Sequence, residues 1–521
     1  GFSVDTVGEH GNWVLADNND KRHPKRISRL AAVDLGAQRA GENDNNNNDD
    51  GRFLAPKRDS QSSHGGEHNN IEHNQLGAWV PVGSASSLSP LTPFRVEIMG
   101  RNFVVWDSKP SSRSSSLSPS HQDISERWSV LLDSCPHRLA PLSLGRIDPD
   151  TNCLECPYHG WQFATNGTLT RLPQLDDGEK SLGSIVEKGS ATSFPVHLTG
   201  DLVWTFLPTS MHGESFPQSL LPEDYFPGVK DDIKRGGLFS AHELPASMDI
   251  TVENGMDPSH FPFAHHGVIS KRSDAGPMPM KTLTSNFTHL DISASYNRNG
   301  EPRERLYSFQ RPFLLCTQEK TGESSWKQAS KFFVVPVHEG RCRIITSVEK
   351  LSKKWFPSWL VHVLVSRLFA GDYFLHDTEI ERQGSGRYYF QPTSADESSR
   401  AWNRWHSKNG MANSPPHTFR SASPLNLTPL PRRVHEDQWL LHTYSCSTCR
   451  TALRRGKIAK VAAAGVSGFA LASIIFKKNY CHPLLAVAVS STGFLVSWAA
   501  SRVVSFHEGN VRPSDATDRS S

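Results

Sequence analysis

CPHRLAPLSLGRID (Cys135 to Asp148) and CPYHGWQFATNGTLTRLPQ (Cys156 to Gln174) each carry one Cys and one His. The spacing is C-x-H in the first and C-x2-H in the second, with 18 residues between His137 and Cys156. Two thiols and two imidazoles in two short loops suit a zinc ion, but a two-loop zinc site normally draws on C-x2-C or H-x3-H pairs. One thiolate and one imidazole per loop is instead the arrangement that lets two Cys bind one iron of a [2Fe–2S] cluster and two His the other. Neutral imidazoles in place of two thiolates remove negative charge, so such a cluster is reduced more easily. Working outward, short apolar runs separated by turns flank both loops: AWVPVG from Ala78, FRVEIMGRNFVVWDS from Phe94, RWSVLLDS from Arg127 and FPVHLTGDLVWTFL from Phe194. These read as β-strands, with Gly100-Arg101 as a hairpin turn, so the loops belong to an all-β domain over 76–210.

The whole chain bounds what surrounds that domain. Its 521 residues allow roughly three or four domains of about 150 residues each, fewer if part is unfolded. Lys and Arg total 56 against 53 Asp and Glu, a formal charge of +3, so no single-sign field points to nucleic acid. Eight Cys are too few for a disulfide scaffold, and with 24 His they point to metal or redox chemistry in a reducing compartment. Residues 1–75 include GENDNNNNDDGR and SQSSHGGEHNNIEHNQ, which offer little apolar surface to offset the entropy of ordering, and are expected to be disordered. Pro110 to Asp123 reads as a flexible insertion between strands. The start at Gly1 is compatible with a removed targeting segment.

Residues 211–445 mix strand-like runs (FTHLDISASY, KFFVVPV) with helical ones and read as an α+β domain. A helix over FPSWLVHVLVSRLFAGDYFLHDTEIERQ is expected. A later one carries Trp402 and Trp405 behind Ser394-Ala395-Asp396-Glu397 as cap and first-turn acids. Upstream of both lies Asp257-Pro-Ser-His260-Phe-Pro-Phe-Ala-His265-His266, with two His five positions apart. Both can face one cavity, and two neutral imidazoles with one carboxylate would leave iron(II) open positions for oxygen and substrate. His266 competes with His265 but projects differently. Asp372 and Asp377 are the two candidate carboxylates.

Past Tyr444, Cys446 and Cys449 form a C-x2-C pair in a basic linker over 446–460. The pair is either a reversible dithiol, with Arg450 favouring thiolate, or two idle thiols; zinc would need two more ligands, and none is expected close by. The runs Val461 to Phe476 and Pro483 to Ala500, 16 and 18 residues, lack charge and read as a membrane helix hairpin over 461–500 or as buried helices. A polar tail over 501–521 follows.

The two loops, with His137 followed by Arg138, closely resemble the Rieske domains of ring-hydroxylating oxygenases. Over Gly77 to Cys449, with the C-x2-C and the apolar hairpin, the chain is most similar to the pheophorbide a oxygenase-like group of chloroplast Rieske monooxygenases. That resemblance implies a Rieske [2Fe–2S] cluster on Cys135, His137, Cys156 and His159, and a mononuclear Fe(II) on His260, His265 and Asp372, with Asp377 the other candidate. It implies Asp257 as a hydrogen-bonded bridge to a neighbouring subunit's cluster in a homotrimer. Ferredoxin would be the electron donor, O2 the oxidant and a chlorophyll-derived tetrapyrrole the substrate, with thioredoxin acting on Cys446 and Cys449. The chain would sit at a chloroplast membrane, inner envelope or thylakoid, held by its C-terminal helices. Pheophorbide a is the leading substrate expected, and the alternatives are protochlorophyllide a or chlorophyllide a oxygenase activity, or a redox-sensing envelope protein that keeps the cluster without substrate turnover.

Overall fold

The computed structural model describes residues 76–508 apart from 89–91, 109–126, 176–181, 209–215, 227–228, 230–238, 299, 323, 348–356, 386–388, 410–436 and 476–482. The expected disordered head, the Ser-rich insertion and most of the polar tail lie outside the described residues. The first half is β-structure in three small sheets. Strands β1 (Leu76–Ser84), β2 (Phe94–Ile98), β3 (Arg101–Asp107), β4 (Trp128–Leu132), β5 (Arg146–Ile147), β6 (Leu154–Glu155), β7 (Gln162–Phe163), β8 (Leu169–Arg171), β9 (Ser193–Phe194), β10 (Val196–Thr199), β11 (Leu202–Pro208) and β12 (Phe216–Pro217) pair in the orders β10-β11-β1-β12, β2-β3-β4-β9 and β5-β6-β7-β8. Cys135 opens the loop that follows β4, and Cys156 lies directly between β6 and β7. Both loops are therefore anchored on paired strands.

The β2–β3 turn is Met99-Gly100, one residue earlier than its sequence suggests, with φ of 53° and 73°. Two successive positive φ values match the twist of a two-residue hairpin, which is why Gly is useful there. The tip also ties the β-domain to the sheet that follows, because the Met99 and Gly100 N–H groups donate to the carbonyls of Pro336 and Val337 at 3.0 and 2.6 Å.

That sheet holds β13 (Phe239–Leu244), β14 (Met280–Ser285), β15 (His289–Arg298), β16 (Glu301–Gln310), β17 (Leu314–Thr321), β18 (Lys327–His338) and β19 (Arg341–Ser347), antiparallel in the order β13-β19-β18-β17-β16-β15-β14. Its residues Leu290, Ile292, Phe309, Leu315, Val334 and Ile344 form one core with the helix Glu397–Asn409. That helix begins behind a capping box in which Thr393, not Ser394, is the N-cap. Trp402 is fully buried against Phe309, and its indole N–H donates to Asp249 at 2.8 Å on the helix Met248–Gly255. Trp402→Ala, which removes both the packing and that bond, is expected to lower the unfolding free energy by about 3–5 kcal/mol, measured by urea denaturation.

The C-terminal residues depart from expectation. The stretch expected to be a linker is the first part of one continuous helix, Ser447–Ile475, because nothing in it breaks a helix. It packs on Pro483–His507, and the two approach closely where side chains are absent. A Cβ on Gly456 would lie 3.2 Å from Val504, and one on Gly493 would overlap Ser467. Among the described residues one helix, over Val487–His507, is long and apolar enough to cross a membrane.

Candidate metal centres

The two N-terminal loops are the same turn written twice. Cys135 N–H donates to Ala140 O at 2.9 Å while Leu139 N–H donates back to Cys135 O at 2.8 Å. In the second loop Cys156 N–H donates to Trp161 O at 2.8 Å and Gly160 N–H to Cys156 O at 3.2 Å. The fifth residue of each is left-handed, Leu139 at φ 58° and Gly160 at φ 72°. The turns bury both thiols in a core with Leu142, Leu154 and Phe163, and bring the His137 and His159 rings to 4.6 Å. His137 stacks flat on Trp161 at 4.5 Å, and its buried Nδ1 has no partner. Burial and the adjoining Cys156 thiol push Cys135 up to about 11, a cost that falls away only if the thiolates bind a cation. Four donors from paired loops, with one imidazole nitrogen orphaned, fit an iron–sulfur group. Cys153, which a strand reading would bury, is half-exposed just before β6 and accepts a bond from the Thr170 hydroxyl at 3.5 Å.

The second centre is assembled across the chain. Helix Met248–Gly255 is held by Ser247 as N-cap, by Trp402 on Asp249 and by Arg382, which pairs with Asp249 and Glu253 at 3.2 Å each. Asp257 then caps a 3-10 turn, Pro258–His260, accepting from Ser259 N–H at 2.8 Å. A further turn, Phe261–Ala264, delivers His265 as its C-cap. The two His are thus five residues apart without sharing one regular helix, and they face each other, Nε2 to Nε2, at 3.1 Å. His266 is exposed and accepts from Arg272 N–H at 3.1 Å, so it is turned away from them.

Asp372 completes this group, its Oδ1 3.4 Å from His265 Nε2 and 3.7 Å from His260 Nε2. It does not sit on the single helix expected for this segment. The helix Ser358–Ala370 ends, Gly371 to Phe374 form a turn, and a new helix runs Leu375–Ser385. Gly371 is required by proximity: a Cβ there would come within 2.6 Å of Ala264 O and 2.7 Å of His265 Nδ1. Asp377, on the second helix, is exposed. Burial lowers His260 to about 4 and, with the neighbouring His260, lowers His265 to about 3, so both imidazoles stay neutral with lone pairs to offer. Burial lifts Asp372 to about 7, opposed by a hydrogen bond from Asn254. Asp372 Oδ1 and both Nδ1 atoms are buried without hydrogen-bond partners. The two Nε2 atoms and Asp372 Oδ1, converging within 3.7 Å of one another, fit a divalent metal with open positions.

A cavity of 490 Å³ opens beside this group, lined by apolar residues including Phe261, Met278, Leu315, Phe332 and Leu368. Arg305 is on its wall, ion-paired to Glu319, with its Nε unpartnered. Sequence reasoning missed Asn254, Gly371 and Arg305; of these only Gly371, preceding a carboxylate, left a visible sign.

The family model of the Rieske [2Fe–2S] domain matches residues 78–192. Pheophorbide a oxygenase, chloroplastic, of Oryza sativa subsp. japonica is 29% identical over 408 residues, covering 72% of this chain and 72% of that protein. Flavonoid 8-hydroxylase 2, chloroplastic, of Ocimum basilicum is 27% identical over 460 residues, 82% of this chain and 81% of that one. Among solved structures, dicamba monooxygenase bound to dicamba covers 64% of this chain and 97% of its own, at 16% identity and a TM-score of 0.47. Two separate metal-binding arrangements, one of them inside the matched Rieske domain, and relatives that span most of both halves lead to one conclusion. The chain carries a Rieske [2Fe–2S] domain and is similar over most of its length to chloroplast Rieske oxygenases of the pheophorbide a oxygenase type, and its two donor groups fit the cofactors of such an enzyme, a Rieske [2Fe–2S] cluster and a mononuclear iron.

Proposed function

We propose that the protein is a chloroplast monooxygenase that oxidises a chlorophyll-derived tetrapyrrole, pheophorbide a being the leading substrate. In this reading Cys135, His137, Cys156 and His159 hold the cluster, and His260, His265 and Asp372 hold the mononuclear iron. When bound, the two groups supply electron storage and oxygen activation. The chain's own residues do the rest: buried imidazoles stay neutral, Asp372 supplies the single negative charge, and the apolar wall excludes water from the bound pigment. The observation that carries the reading is the apolar cavity beside the His260, His265 and Asp372 group, with a cation, Arg305, suited to a propionate. The exposed apolar side chains of the C-terminal helices, among them Phe469, Phe494, Leu495 and Trp498, support an anchor at the membrane that stores such pigments.

A planar phenolic of the flavonoid class is a second reading. The flavonoid 8-hydroxylase relative, covered over 81% of its length, supports it, and the same cavity of 490 Å³ would receive such a ring system. The deciding experiment supplies reduced ferredoxin and labelled oxygen to the protein with pheophorbide a, chlorophyllide a, protochlorophyllide a or a flavone. Label in a product of pheophorbide a is the expected outcome. Label in the flavone product alone would overturn the tetrapyrrole reading, and no label in any product would favour the redox-sensing alternative.

Ferredoxin as donor, a homotrimer and Asp257 as the inter-subunit bridge belong to the same proposal. Asp257 is half-buried three residues before His260, and burial raises its carboxyl above the ordinary value. Asp257→Asn is expected to leave both metals bound while slowing electron transfer between them by about 10-fold or more, read by stopped-flow reoxidation of the cluster. An unchanged rate, or an active monomer in light scattering, would remove Asp257 from that role.

A further inference from the structure

His362, His442, Cys446 and Cys449, none of them a ligand of either iron centre, converge where the C-terminal helices meet the catalytic sheet, and all four are buried. They come from separated elements. His362 is in the helix Ser358–Ala370, His442 in the π-helical turn Trp439–Thr443, and the Cys pair lies at the start of the helix Ser447–Ile475. The expectation that no further ligands lie near the C-x2-C fails: His442 stands four positions before Cys446 along the chain, and His362, 84 positions before it, is brought there by the fold.

We propose that these four residues form a structural zinc site of the Cys2His2 type. His442 Nε2 is 3.2 Å from Cys449 Sγ and 3.3 Å from His362 Nδ1, and His362 Nδ1 is 3.4 Å from Cys446 Sγ and 3.5 Å from Cys449 Sγ. A tetrahedral zinc with bonds of about 2.3 Å to sulfur and about 2.0 Å to nitrogen has edges of about 3.3 to 3.7 Å. The donors already outline that polyhedron. His442 Nδ1 lies 2.7 Å from Ala241 O, to which its N–H donates, so its Nε2 presents a lone pair to the cluster. Behind it, His242 stacks on His442 at 4.2 Å and is itself bonded to Ser240 at 2.6 Å and Ser366 at 3.3 Å. Ligand rings braced through such outer contacts are the usual surroundings of a bound metal.

Charge argues the same way. Zinc binding releases the two thiol protons, and two thiolates then balance the ion, so no net charge is buried. A reversible dithiol fits less well, because Cys446 and Cys449 are 2% and 0% exposed and offer no sulfur to a reductant. Arg450, which the sequence put beside them, donates to the Tyr444 carbonyl at 2.7 Å. The ion would join the helix leading to Gly371-Asp372 with the helix that starts the C-terminal pair, fixing that pair to the iron-bearing body.

The test is metal analysis of the full-length protein purified anaerobically, with zinc X-ray absorption on the same sample. The expected result is one zinc per chain beside the irons, with a shell of two sulfurs and two nitrogens. The Cys446→Ser, Cys449→Ser double variant should lose zinc by about tenfold or more while keeping its iron. If that variant does not fold, the stoichiometry and shell of the wild type decide alone. Zinc-free wild type whose two thiols cycle to a disulfide under thioredoxin would overturn the proposal, as would zinc retained in the double variant.

Discussion

His260→Ala and His265→Ala are each expected to abolish oxygenation, with turnover falling by roughly 10³-fold or more, and to leave the visible spectrum of the Rieske cluster unchanged. A metal supplies several kcal/mol of catalysis, and each 1.36 kcal/mol is about tenfold in rate. The two imidazoles face each other at 3.1 Å, so losing either removes one of three donors and leaves the other beside Asp372 without the geometry to retain iron(II). The spectrum survives because the cluster's candidate ligands are in a separate core, built from the Cys135 and Cys156 loops. Both effects are read together by oxygen uptake and absorbance on one sample. Loss of the cluster spectrum in either variant would contradict the assignment of two independent sites.

Asp372→Ala is expected to lower turnover by about 10²-fold or more and Asp377→Ala to leave it within about twofold. The contrast follows from position. Asp372 is buried in the turn between two helices, within 3.4 Å of His265, whereas Asp377 is exposed in the first turn of the second helix. Iron content of the mononuclear site, measured beside turnover, separates a lost ligand from a misfolded protein. Equal effects of the two substitutions would place the carboxylate ligand elsewhere.

How far such a site can be read from sequence depends on how local it is. Cys135, His137, Cys156 and His159 lie in two loops of identical hydrogen bonding, and His260 and His265 in consecutive short turns, so spacing made them candidates and the resemblance gave them roles. Asp372 was visible as a candidate but not distinguishable from Asp377 by pattern, because the break at Gly371 follows from how closely Ala264 and His265 approach, a tertiary fact. The strands of the β-domain were legible from alternation and turn residues. Their hairpin slipped by one residue because Met99 takes a positive φ that its type does not announce. The linker reading of 446–460 failed for a different reason: basic composition suggested exposure, while the chain there is continuously helical, as its local propensity favours. His362 was not legible, since nothing along the chain brings a helix at 358–370 against a turn at 439–443, whereas His442, four residues before Cys446, stood close in sequence and was overlooked.

A chain that carries both a two-iron cluster and a separate single iron must show both in its metal content. The decisive measurement is iron quantification of the purified protein together with electron paramagnetic resonance of the reduced cluster. Three irons per chain are expected, two giving the mixed-ligand cluster signal and one lost selectively in His260→Ala. Two irons per chain, with full cluster signal and no change on His260→Ala, would contradict the two-centre assignment.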